Sequence, residues 1–503
     1  MKYIDTFINR ITMYRLLLYY LLAIIAAAMV FGALGSLSYS PYAIVISTSL
    51  FVGLCYGFNY LFAWIYGAPT NWESSVITGL ILSLIITPAA SVKGIPFIIA
   101  AAGLAIASKY ILAFRGKHIF NPAAIAVVLT SLGPQESASW WVGSTLLLPI
   151  VVVGGLLIVH KIRRGAMVAT FIGVALVSSM VVAALTGHDI VSTIQTVFLR
   201  SSLFFLAFVM LTEPWTSPGT HRGRFIYATI VGLLFSPFIH IGTIYSTPEI
   251  ALSIANIAAF FLSPIVKTKL HFVGRKQYGS SEDIEFKPDY SFDYKPGQYI
   301  EMTLPHSGAD SRGLRRYFTL ASSPTESTVR FGVRYYGNGS SFKSLLQKLD
   351  TSTPLSIGQL GGDFTMPHGA SQKLAFIAGG IGITPFRSMI KYLSDTQDPR
   401  AVALLYGERS AQDVIYSDVF ENARKTINVE TTYVLSSPVS TPSPYVVTGK
   451  IDSELIKQRL PDYKERLFYI SGPQPMVLAV KKELRSIGVP SRNIKVDYFF
   501  GYA

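Results

Sequence analysis

Residues 374–390 read LAFIAGGIGITPFRSMI, and this stretch decides the fold of the last third of the chain. An apolar segment runs into Gly379, Gly380 and Gly382, and a predicted helix follows. A buried strand, a glycine turn and a helix in this order predict a nucleotide-binding α/β domain, because glycines let the backbone approach a dinucleotide closely. We expect Thr384, at the start of the helix, to bond the ribose or a phosphate of that nucleotide.

Charged residues are spread unevenly along the 503 residues. Residues 1–265 contain 13 Lys/Arg and 6 Asp/Glu, whereas residues 266–503 contain 30 and 23. The first part is therefore compatible with hydrocarbon, and the second has the composition of a soluble domain. The formal net charge of +14 divides equally between them, which argues against nucleic-acid binding and favours loops facing anionic lipid headgroups. The single cysteine, Cys55, excludes a disulfide framework and a four-cysteine iron–sulfur cluster within this chain.

Ten apolar runs at the start of the chain predict membrane spans. An even number of spans places both termini on one side, and most Lys and Arg residues of the loops fall on that side. We therefore expect a multi-pass protein of a bacterial cytoplasmic membrane, with both termini and the C-terminal part in the cytoplasm. The runs of full membrane length are 15–37, 42–66, 95–114, 141–160, 165–186, 223–242 and 248–266. The shorter runs are 74–88, 120–133 and 201–212.

Each short run has a proline at one end, Pro88, Pro122 or Pro214, which removes a backbone donor and breaks a helix. Non-helical backbone at membrane depth is tolerated where it is buried in protein or lines a cavity. Pro88 and Pro122 are 34 residues apart. A second pair, Pro214 and Pro248, has the same spacing and lies 126 residues further on. We expect an inverted repeat of five spans per half, with a buried site between the broken helices.

Four segments within residues 74–266 carry a resemblance to a membrane family: SSVITGLILSLIITPAA, AIASKYILAFRGKHIFNPAAIAVVL, FLAFVMLTEPWTSP and STPEIALSIANIAAFFLSP. They resemble the NQR2/RnfD family, the related membrane proteins of the sodium-pumping NADH:quinone reductase and of the Rnf complex. The resemblance implies a domain that holds flavin and passes electrons to quinone or across the membrane. The family's Ser-Gly-Ala-Thr stretch, which carries a covalent flavin, is absent from this sequence. The remaining alternatives for this domain are a non-covalent FMN or riboflavin, or no second flavin.

Polar residues inside a membrane are candidates for function. Glu213 lies beside a proline on a broken helix, where it could relay a proton, coordinate a cation or bond a flavin; a carboxylate at the water boundary is the alternative. Asn121 and Asn256 either bond a ligand or cap the broken helices. Bis-histidine haem is disfavoured, because the histidines of this half lie mostly at span ends and form no repeated pair across two spans.

After His271 apolar and polar residues alternate, as in QYIEMTL and VRFGVRYY, which predicts a small antiparallel barrel. From Lys373 the pattern changes to strand, turn and helix. A barrel followed by an α/β domain resembles the ferredoxin–NADP⁺ reductase superfamily over residues 270–503. We expect three domains: a membrane domain over 1–268, an FAD-binding barrel over 269–368 and an NAD(P)-binding domain over 369–503.

The resemblance assigns flavin-binding roles to residues of one predicted strand. In RRYFTLASSP, Arg316 aligns with an arginine that forks onto the flavin pyrophosphate. Phe318 aligns with an aromatic residue against the flavin, and Thr319 with a hydroxyl that bonds N5, the atom that accepts hydride. The stretch GNGSSFKSLL adds three residues that either bind the same pyrophosphate at a helix N-terminus or only cap that helix: Gly339, Ser340 and Ser341.

Two further motifs are expected near the nicotinamide ring of bound NAD(P)H. LFYISGPQPMV is similar to the superfamily's Cys-Gly-Pro-x-x-Met segment, with Ser471 in place of the frequent cysteine. Gly472 and Pro473 are expected to keep the backbone close to the nicotinamide. In VDYFFGY, the resemblance places Asp497 and Phe499 over the isoalloxazine, whereas an ordinary terminal strand is the alternative. The candidate catalytic residues are Thr319, Ser471, Asp497 and Phe499.

Together the motifs predict an FAD-dependent NAD(P)H oxidoreductase that passes electrons to quinone or another membrane-bound acceptor, with ion transport as a further hypothesis. Arg409 is expected to face the adenosine, but it does not distinguish NADH from NADPH. Two alternatives stay open: a transmembrane reductase of an extracytoplasmic acceptor, either a ferric species or a flavinylated protein, and a transporter whose nucleotide domain senses redox state. The expected partners are membrane lipid, an electron acceptor and, in the first alternative, an extracytoplasmic redox partner, with no metal and no nucleic acid.

Overall fold

The computed structural model divides the chain into two compact units, an N-terminal unit of residues 1–265 and a C-terminal unit of residues 266–503. The predicted three-domain division, with boundaries after residues 268 and 368, stays a prediction. The structure describes residues 8, 11–68, 71–89, 92–114, 117–132, 138–236, 239–242, 244–263, 267–306, 310, 314–335, 340–351, 353, 355–438 and 443–498.

The N-terminal unit is built from apolar helices. In its described part they are α1 (Met13–Ala33), α2 (Pro41–Tyr66), α3 (Trp72–Ile85), α4 (Ile95–Ile111), α5 (Pro122–Ser131), α6 (Leu148–Ile162), α7 (Gly165–Thr186), α8 (Ile190–Leu199), α9 (Leu203–Met210), α10 (His221–Leu234) and α11 (Pro248–Leu262). Among these, α1, α2, α7 and α4 with the turn before it are long and apolar enough to cross a membrane. The pair α8 and α9, bent by 53°, would make a fifth span. The ten-span prediction is therefore not confirmed.

The two halves of this unit repeat one order of elements. In each half a helix is followed by a non-helical segment, containing Pro88 or Pro214, then by a helix, a short hairpin and another helix. Asn121 and Thr247 cap the last helices, α5 and α11, and each is followed by a proline in the first turn. This order supports the internal repeat, and its inverted orientation stays a prediction. The hairpins pair β1 (Ala113–Phe114) with β2 (Lys117–His118), and β3 (His240–Ile241) with β4 (Ile244–Tyr245).

A loop satisfies the backbone groups that the break after α3 leaves without helical partners. The Ile85 carbonyl accepts a hydrogen bond from the N–H of Trp140 at 2.9 Å. The indole Nε1 of Trp141 donates to the carbonyls of Ser83 and Ile86, at 2.9 and 3.0 Å. These bonds explain how a helix can end inside an apolar core.

The C-terminal unit begins with a six-stranded antiparallel sheet in the order β8 (Arg315–Thr319), β7 (Tyr299–Thr303), β10 (Leu355–Gly361), β5 (Thr268–Tyr278), β6 (Ser281–Pro288) and β9 (Val329–Arg334). Its inward residues form one apolar core, which includes Phe286, Phe331 and the helix residue Phe342. The curled sheet agrees with the predicted antiparallel flavin domain, and closure into a complete barrel is not confirmed. The helix α12 (Ser341–Gln347) lies between β9 and β10 in the chain.

A parallel sheet follows, in the order β14 (Val446–Thr448), β13 (Val429–Leu435), β12 (Val402–Glu408), β11 (Leu374–Gly379), β15 (Leu467–Ser471) and β16 (Ile494–Asp497). Every residue of β11 is buried, as expected for a central strand covered by helices on both faces. The predicted α/β pattern is therefore present. The helices between these strands are α13 (Thr384–Asp395), α14 (Ser417–Thr426), α15 (Ser453–Arg459) and α16 (Gln474–Ser486).

Candidate functional site

The candidate nucleotide site lies where the strand order of the parallel sheet reverses. The chain builds the sheet outward from β11 in one direction, and then returns to the other side of β11 with β15. Ala378 near the end of β11 is level with Ser471 at the end of β15. Their following turns therefore flank a crevice at the carboxyl ends of the strands, which is where open α/β sheets bind ligands.

The two turns at this crevice approach each other too closely for side chains. A Cβ atom on Gly382 would lie 2.5 Å from the backbone nitrogen of Gly472 and 2.5 Å from the carbonyl carbon of Ser471. Gly380 has a φ of +57°, a conformation that L side chains rarely adopt. Gly382 is thus required by the packing of protein backbone and Gly380 by its own backbone conformation, in addition to any ligand.

Two more predicted residues lie beside this turn. Thr384 begins α13, and its hydroxyl donates to the Ile381 carbonyl at 3.2 Å. A Cβ atom on Gly332 of β9 would lie 2.6 Å from the Thr384 methyl carbon, so the antiparallel sheet contacts the glycine turn directly. Asp497 of β16 is level with the buried Ser471 of β15. Ser471, Thr384 and Asp497 therefore belong to neighbouring segments of the crevice.

A cleft of about 730 Å³ extends from the crevice along the carboxyl ends of β11, β12 and β13. Gly380 and Pro473 line one side of it, and Arg334 and Tyr335 at the end of β9 line another. Arg409 is exposed in the part of the cleft formed after β12. The cleft has the volume of a small-molecule site and is bounded by both sheets of the C-terminal unit.

Arg334 is a candidate functional residue that the sequence analysis missed. Its Nη1 would lie 2.5 Å from a Cβ atom placed on Gly380, so the guanidinium lies directly against the glycine turn. Its Nη2 donates to Glu408 Oε1 at 2.5 Å, and the Arg409 N–H donates to Glu408 Oε2 at 3.2 Å. Burial raises the pKa of Glu408 above its ordinary value, and the Arg334 charge opposes that shift. The sequence signal for Arg334 was its position at the end of the strand in VRFGVRYY.

Arg316, Phe318 and Thr319 lie on β8 of the antiparallel sheet. Phe318 stacks on Phe342 of α12, with ring centroids 5.9 Å apart, and the Arg316 guanidinium carbon lies 5.3 Å from the centre of the same ring. The Arg316 Nη2 is 3.5 Å from Asp310 Oδ1. Thr319 ends the strand and is buried. Arg316 and Phe318 therefore both lie against the Phe342 ring, whereas Thr319 lies at the end of β8.

The start of α12 is engaged by an acidic side chain. Ser340 caps the helix by accepting from the Lys343 N–H at 3.3 Å. The Ser341 N–H donates to Asp310 Oδ2 at 3.0 Å, and the Asp310 N–H donates to the Ser341 hydroxyl at 3.0 Å. One carboxylate therefore contacts two of the four residues that the sequence assigned to a pyrophosphate, Arg316 and Ser341. Gly339 and Phe499 lie outside the described residues.

A buried polar network joins the antiparallel sheet to α13 and α14. Arg387 forms a bidentate ion pair with Glu326, in which Nη2 lies 2.9 Å from Oε1, and it donates to the Ala321 carbonyl at 3.1 Å. The Tyr416 hydroxyl donates to Asp283 Oδ1 at 2.7 Å. Burial, reinforced by this carboxylate, raises the pKa of Tyr416. Since Arg387 lies on the helix that follows the glycine turn, the network fixes that turn against the antiparallel sheet.

In the N-terminal unit, the three predicted polar residues lie in one hydrogen-bonded network. The Asn121 side chain donates to Glu213 Oε2 at 2.8 Å, and its backbone N–H donates to Asn256 Oδ1 at 2.9 Å. His118 Nε2 lies 3.2 Å from Glu213 Oε1. Asn121 Oδ1 also accepts from the Ala124 N–H at 3.1 Å, so the capping role and the network role are both present.

The network extends beyond the predicted residues. Asn256 Nδ2 donates to the Tyr227 hydroxyl at 2.9 Å, and the Thr216 hydroxyl donates to Glu213 Oε2 at 3.1 Å. The His118 ring stacks on Trp215, with centroids 5.8 Å apart. His118 and Tyr227 were missed because each acquires its partner only when distant segments of this unit pack together. Among the described residues, no group of three or more His, Cys, Asp or Glu side chains is placed to hold a metal ion.

Comparison with known proteins places each unit in a class. Residues 135–271 match the model of the NQR2, RnfD, RnfE family, and residues 376–482 match the model of the oxidoreductase NAD-binding domain. One chain therefore carries an NQR2/RnfD/RnfE-type domain and a ferredoxin-reductase-type nucleotide-binding domain. The family resemblance inferred from the motifs is confirmed.

Similarity to curated proteins covers about two fifths of this chain. It is 29% identical over 214 residues to the reductase component of propane 2-monooxygenase from Rhodococcus jostii, covering 41% of this chain and 56% of that protein. It is 27% identical over 208 residues to a flavohemoprotein from Burkholderia sp., covering 41% and 51%. It is 27% identical over 212 residues to NADH oxidoreductase HCR from Escherichia coli, covering 42% and 61%. The chain thus spans between half and two thirds of the length of these relatives.

Proposed function

We propose that this chain is an FAD-dependent NAD(P)H oxidoreductase that passes electrons from NADH or NADPH to an acceptor at its membrane domain. One observation carries the proposal: the glycine-lined crevice lies against the sheet that bears Arg316, Phe318 and Thr319, in a chain that also holds an NQR2/RnfD/RnfE-type domain. The reductase relatives support it, since their names describe a reductase component and an NADH oxidoreductase.

The residues of the antiparallel sheet fit an FAD pyrophosphate. An anion, the Asp310 carboxylate, already contacts both Arg316 and the N–H of Ser341. Arginine binds phosphate and carboxylate oxygens with the same bidentate geometry, and a diphosphate carries more acceptor oxygens and more charge, so we infer that it replaces Asp310 on these donors. Arg316 and Ser341 would then hold the cofactor's phosphates, and Phe318 would lie near its aromatic end.

The nucleotide crevice positions a second dinucleotide with its own backbone and side chains. The glycine turn brings backbone N–H groups to the carboxyl end of β11, and Arg334 adds a positive charge beside Gly380. Thr319 and Ser471 are buried residues whose hydroxyl groups we assign to the flavin and to the nicotinamide respectively. When bound, FAD accepts hydride as an electron pair and releases electrons one at a time. The network around Arg387 holds the two sheets in a fixed relation for this step.

We assign the membrane acceptor to quinone or to a non-covalent FMN or riboflavin held in the N-terminal unit. The polar network of Glu213, Asn121 and Asn256 supports a buried site there, because polar groups at membrane depth are costly and are retained for function. Ion coupling is a second candidate function. It is favoured by the position of Glu213, whose carboxylate accepts hydrogen bonds from Asn121 and Thr216 and lies 3.2 Å from His118 Nε2. The distribution of positive charge supports a cytoplasmic membrane with a cytoplasmic nucleotide site.

The test uses the full chain purified into lipid nanodiscs. Acid precipitation and flavin analysis should give one releasable FAD per chain, and FMN or riboflavin in addition would support a membrane flavin. Under anaerobic conditions NADH or NADPH should reduce the FAD, and added ubiquinone analogue should reoxidise it. Thr319→Ala should slow reduction by about tenfold, on the order of 1.4 kcal/mol in the barrier, while the control Thr353→Ala, at a partly exposed position, should not. A chain without flavin, or one whose flavin is not reduced by NADH or NADPH, contradicts the proposal.

A further inference from the structure

Glu249 is a second buried carboxylate of the N-terminal unit, outside the Glu213 network. It lies in the first turn of α11 and is 4% exposed. Its Oε2 accepts a hydrogen bond from the indole Nε1 of Trp140 at 2.9 Å, and within the described part of the chain it forms no ion pair. A carboxylate buried with one neutral donor is costly to retain, which makes it a candidate for function.

Trp140, the partner of this carboxylate, has a strained backbone. Its φ is +46°, in the left-handed region that large side chains seldom adopt. Its N–H donates to the Ile85 carbonyl at the break after α3, so the loop holds the indole between that break and the start of α11. Strain of this kind persists where the surrounding structure requires it, and it is frequent at functional sites.

Glu249 is the first residue of a buried polar stripe along α11. Ser253 and Asn256 follow it by four and seven residues, a spacing that places all three on one face of the helix. Ser253 is 7% exposed and Asn256 is fully buried. At 1.5 Å per residue, they lie about 6 and about 10.5 Å along the helix axis from Glu249.

The stripe leads from Glu249 to the network of the other carboxylate, Glu213. Asn256 Oδ1 accepts from the backbone N–H of Asn121, whose side chain donates to Glu213. Between the two ends, the Ser253 hydroxyl is buried and forms no hydrogen bond with the described residues. Buried hydroxyl groups almost always have a partner, and a hydroxyl can donate and accept at once, as each link of a proton-transfer chain must.

Few titratable groups face this stripe. The helix α11 packs against α5, which has no ionisable side chain, and against α10, whose Tyr227 hydroxyl accepts from Asn256 at 2.9 Å. On the Glu213 side, His118 lies 3.2 Å from the carboxylate, and Lys109 of α4 interacts with it electrostatically. The other titratable groups on the neighbouring elements are His221, Arg222 and Arg224 at the start of α10, and His240 and Tyr245 of the β3–β4 hairpin.

The chemistry of Glu249 suits a proton better than a metal cation. The indole N–H can only donate, so it occupies a carboxylate lone pair that a cation would need. Hard cations also require several oxygen ligands around them. A protonated carboxyl group, in contrast, can accept from Trp140 through one oxygen and donate its own O–H to the next oxygen of a chain.

We propose that Glu249 supplies protons to the electron acceptor of the N-terminal unit, along the face of α11 that carries Ser253 and Asn256. The inference rests on the proposed electron transfer to an acceptor in this unit. The Ser253 hydroxyl relays the proton, and Asn256 is a positioning residue that holds Asn121 and Glu213 at the far end. Water molecules complete the chain, because hydrogen-bonded oxygens are about 2.8 Å apart.

The proton balance follows from the acceptor. A quinone takes up two electrons, which come from FAD, and two protons. For each proton, the O–H bond of Glu249 breaks and an O–H bond forms on the next oxygen of the chain, until the last transfer reaches the quinone oxygen. Water then protonates Glu249 again, so the residue is unchanged after each turnover.

The test uses the full chain in lipid nanodiscs under anaerobic conditions. Stopped-flow absorbance follows the reduction of FAD by NADH or NADPH, and then its reoxidation by a ubiquinone analogue. A parallel series replaces the nucleotide with dithionite, so the second step is measured independently of the first. Wild-type FAD that dithionite reduces but NAD(P)H does not would contradict the proposed function and leave the comparison of variants intact.

The variants should change reoxidation and leave reduction of FAD unchanged. Glu249→Gln keeps an acceptor for Trp140 but has no acid proton, so it should slow reoxidation at least about tenfold. Glu249→Asp restores a carboxyl group and should recover most of the rate. Ser253→Ala should slow reoxidation by a smaller factor, because water can replace the hydroxyl. The control Ser179→Ala removes another buried hydroxyl that has no partner among the described residues, on α7, and should react like wild type.

A double variant tests whether the two carboxylates act in one path. Glu213→Gln/Glu249→Gln should be no slower than the slower of its single variants, because either substitution already interrupts the path. Residues this far apart that act independently would instead show losses that multiply.

Four results would overturn the proposal. They are wild-type rates in Glu249→Gln, equal losses in Ser253→Ala and Ser179→Ala, multiplied losses in the double variant, and a Glu249→Asp variant as slow as Glu249→Gln, which would assign the loss to packing. Thermal unfolding midpoints show whether each variant is folded. If Glu249→Gln does not fold, the comparison of Ser253→Ala with Ser179→Ala decides.

Discussion

Glu326 in the C-terminal unit and Glu213 in the N-terminal unit are both largely buried carboxylates, with side chains 16% and 23% exposed, but they are compensated differently. Glu326 receives a bidentate guanidinium from Arg387. Glu213 receives hydrogen bonds from two neutral donors, Asn121 and Thr216, and lies against an imidazole. A bidentate arginine neutralises a carboxylate and ties it to one position, whereas amide and hydroxyl donors orient a carboxylate without neutralising it. Glu326 therefore has a structural role, and Glu213 is the better candidate for function.

The largest expected effect follows from removing the arginine. Arg387→Ala should lower the free energy of unfolding of the C-terminal unit by about 3 kcal/mol, because it leaves the largely buried Glu326 with only a longer ion pair, 4.0 Å, to Arg330. Pulse proteolysis in urea measures it. The control Lys373→Ala removes a solvent-exposed ion pair with Asp462 and Glu465, which should change the free energy of unfolding much less. Similar losses for both variants would mean that Arg387 is no more important than a surface residue.

The next effect tests backbone packing at the crevice. Gly382→Ala should cost about 1–3 kcal/mol of stability through overpacking, since its Cβ would meet backbone atoms of Ser471 and Gly472 at 2.5 Å. NAD(P)H-dependent flavin reduction should fall with it, as measured by stopped-flow absorbance. Gly369→Ala is the control, because its Cβ would meet nothing closer than the Ser371 hydroxyl at 4.0 Å. An active, stable Gly382→Ala protein would show that the two turns can separate.

Glu213→Gln tests the proposed functional role of the second carboxylate, Glu213. It keeps the size of the side chain and removes its charge, so reduction of FAD by NAD(P)H should be unchanged while quinone reduction falls by about tenfold, or ~1.4 kcal/mol. The two half-reactions are measured separately in nanodiscs. Glu73→Gln, which affects the partly exposed pair with Arg15 at 3.0 Å, is the control. Full quinone turnover in Glu213→Gln would remove the residue from the electron or ion pathway.

The smallest effect concerns acid stability. Hydrogen bonds from Arg400, at 2.8 Å to each carboxylate oxygen, hold the pKa of Asp398 below its ordinary value. The ionised form therefore favours the folded state, and this stabilisation is present above the unfolded pKa of about 3.9 and lost as pH falls through the folded pKa. Asp398→Asn should cost up to about 1 kcal/mol at neutral pH. Urea unfolding at a series of pH values should show the difference from wild type shrinking in acid; a difference that is constant with pH would contradict the assignment.

Local motifs predicted the order of an antiparallel and an α/β part in the C-terminal unit. Strand, turn and helix patterns are set by residues close in sequence, so the glycine turn at 379–382 and the β8 motif around Arg316 were visible without the structure. The role of Arg334 could not be predicted from the sequence. Its partners, the glycine turn and Glu408, are distant in sequence and are brought to it by sheet packing. The Arg387–Glu326 pair could not be predicted for the same reason.

In the N-terminal unit, the sequence predicted the polar residues but not their partners or the helix lengths. Glu213, Asn121 and Asn256 were recognised as polar groups in apolar runs, and the structure shows them bonded in one network. Helix boundaries were less predictable. An apolar run such as 223–242 contains both the helix α10 and a hairpin strand, since hydropathy reports the surroundings of a segment and not its backbone hydrogen bonding.

The central claim is that one chain takes hydride at the crevice beside Gly382 and delivers electrons to its membrane domain. The most direct measurement is anaerobic stopped-flow spectroscopy of the purified chain in nanodiscs, first mixed with NADH or NADPH and then with a quinone analogue. The account predicts that bound FAD bleaches on the first mixing and recovers on the second, with no other protein present. Flavin that bleaches with the nucleotide but is not reoxidised by quinone, a second bound flavin or an external acceptor would contradict it.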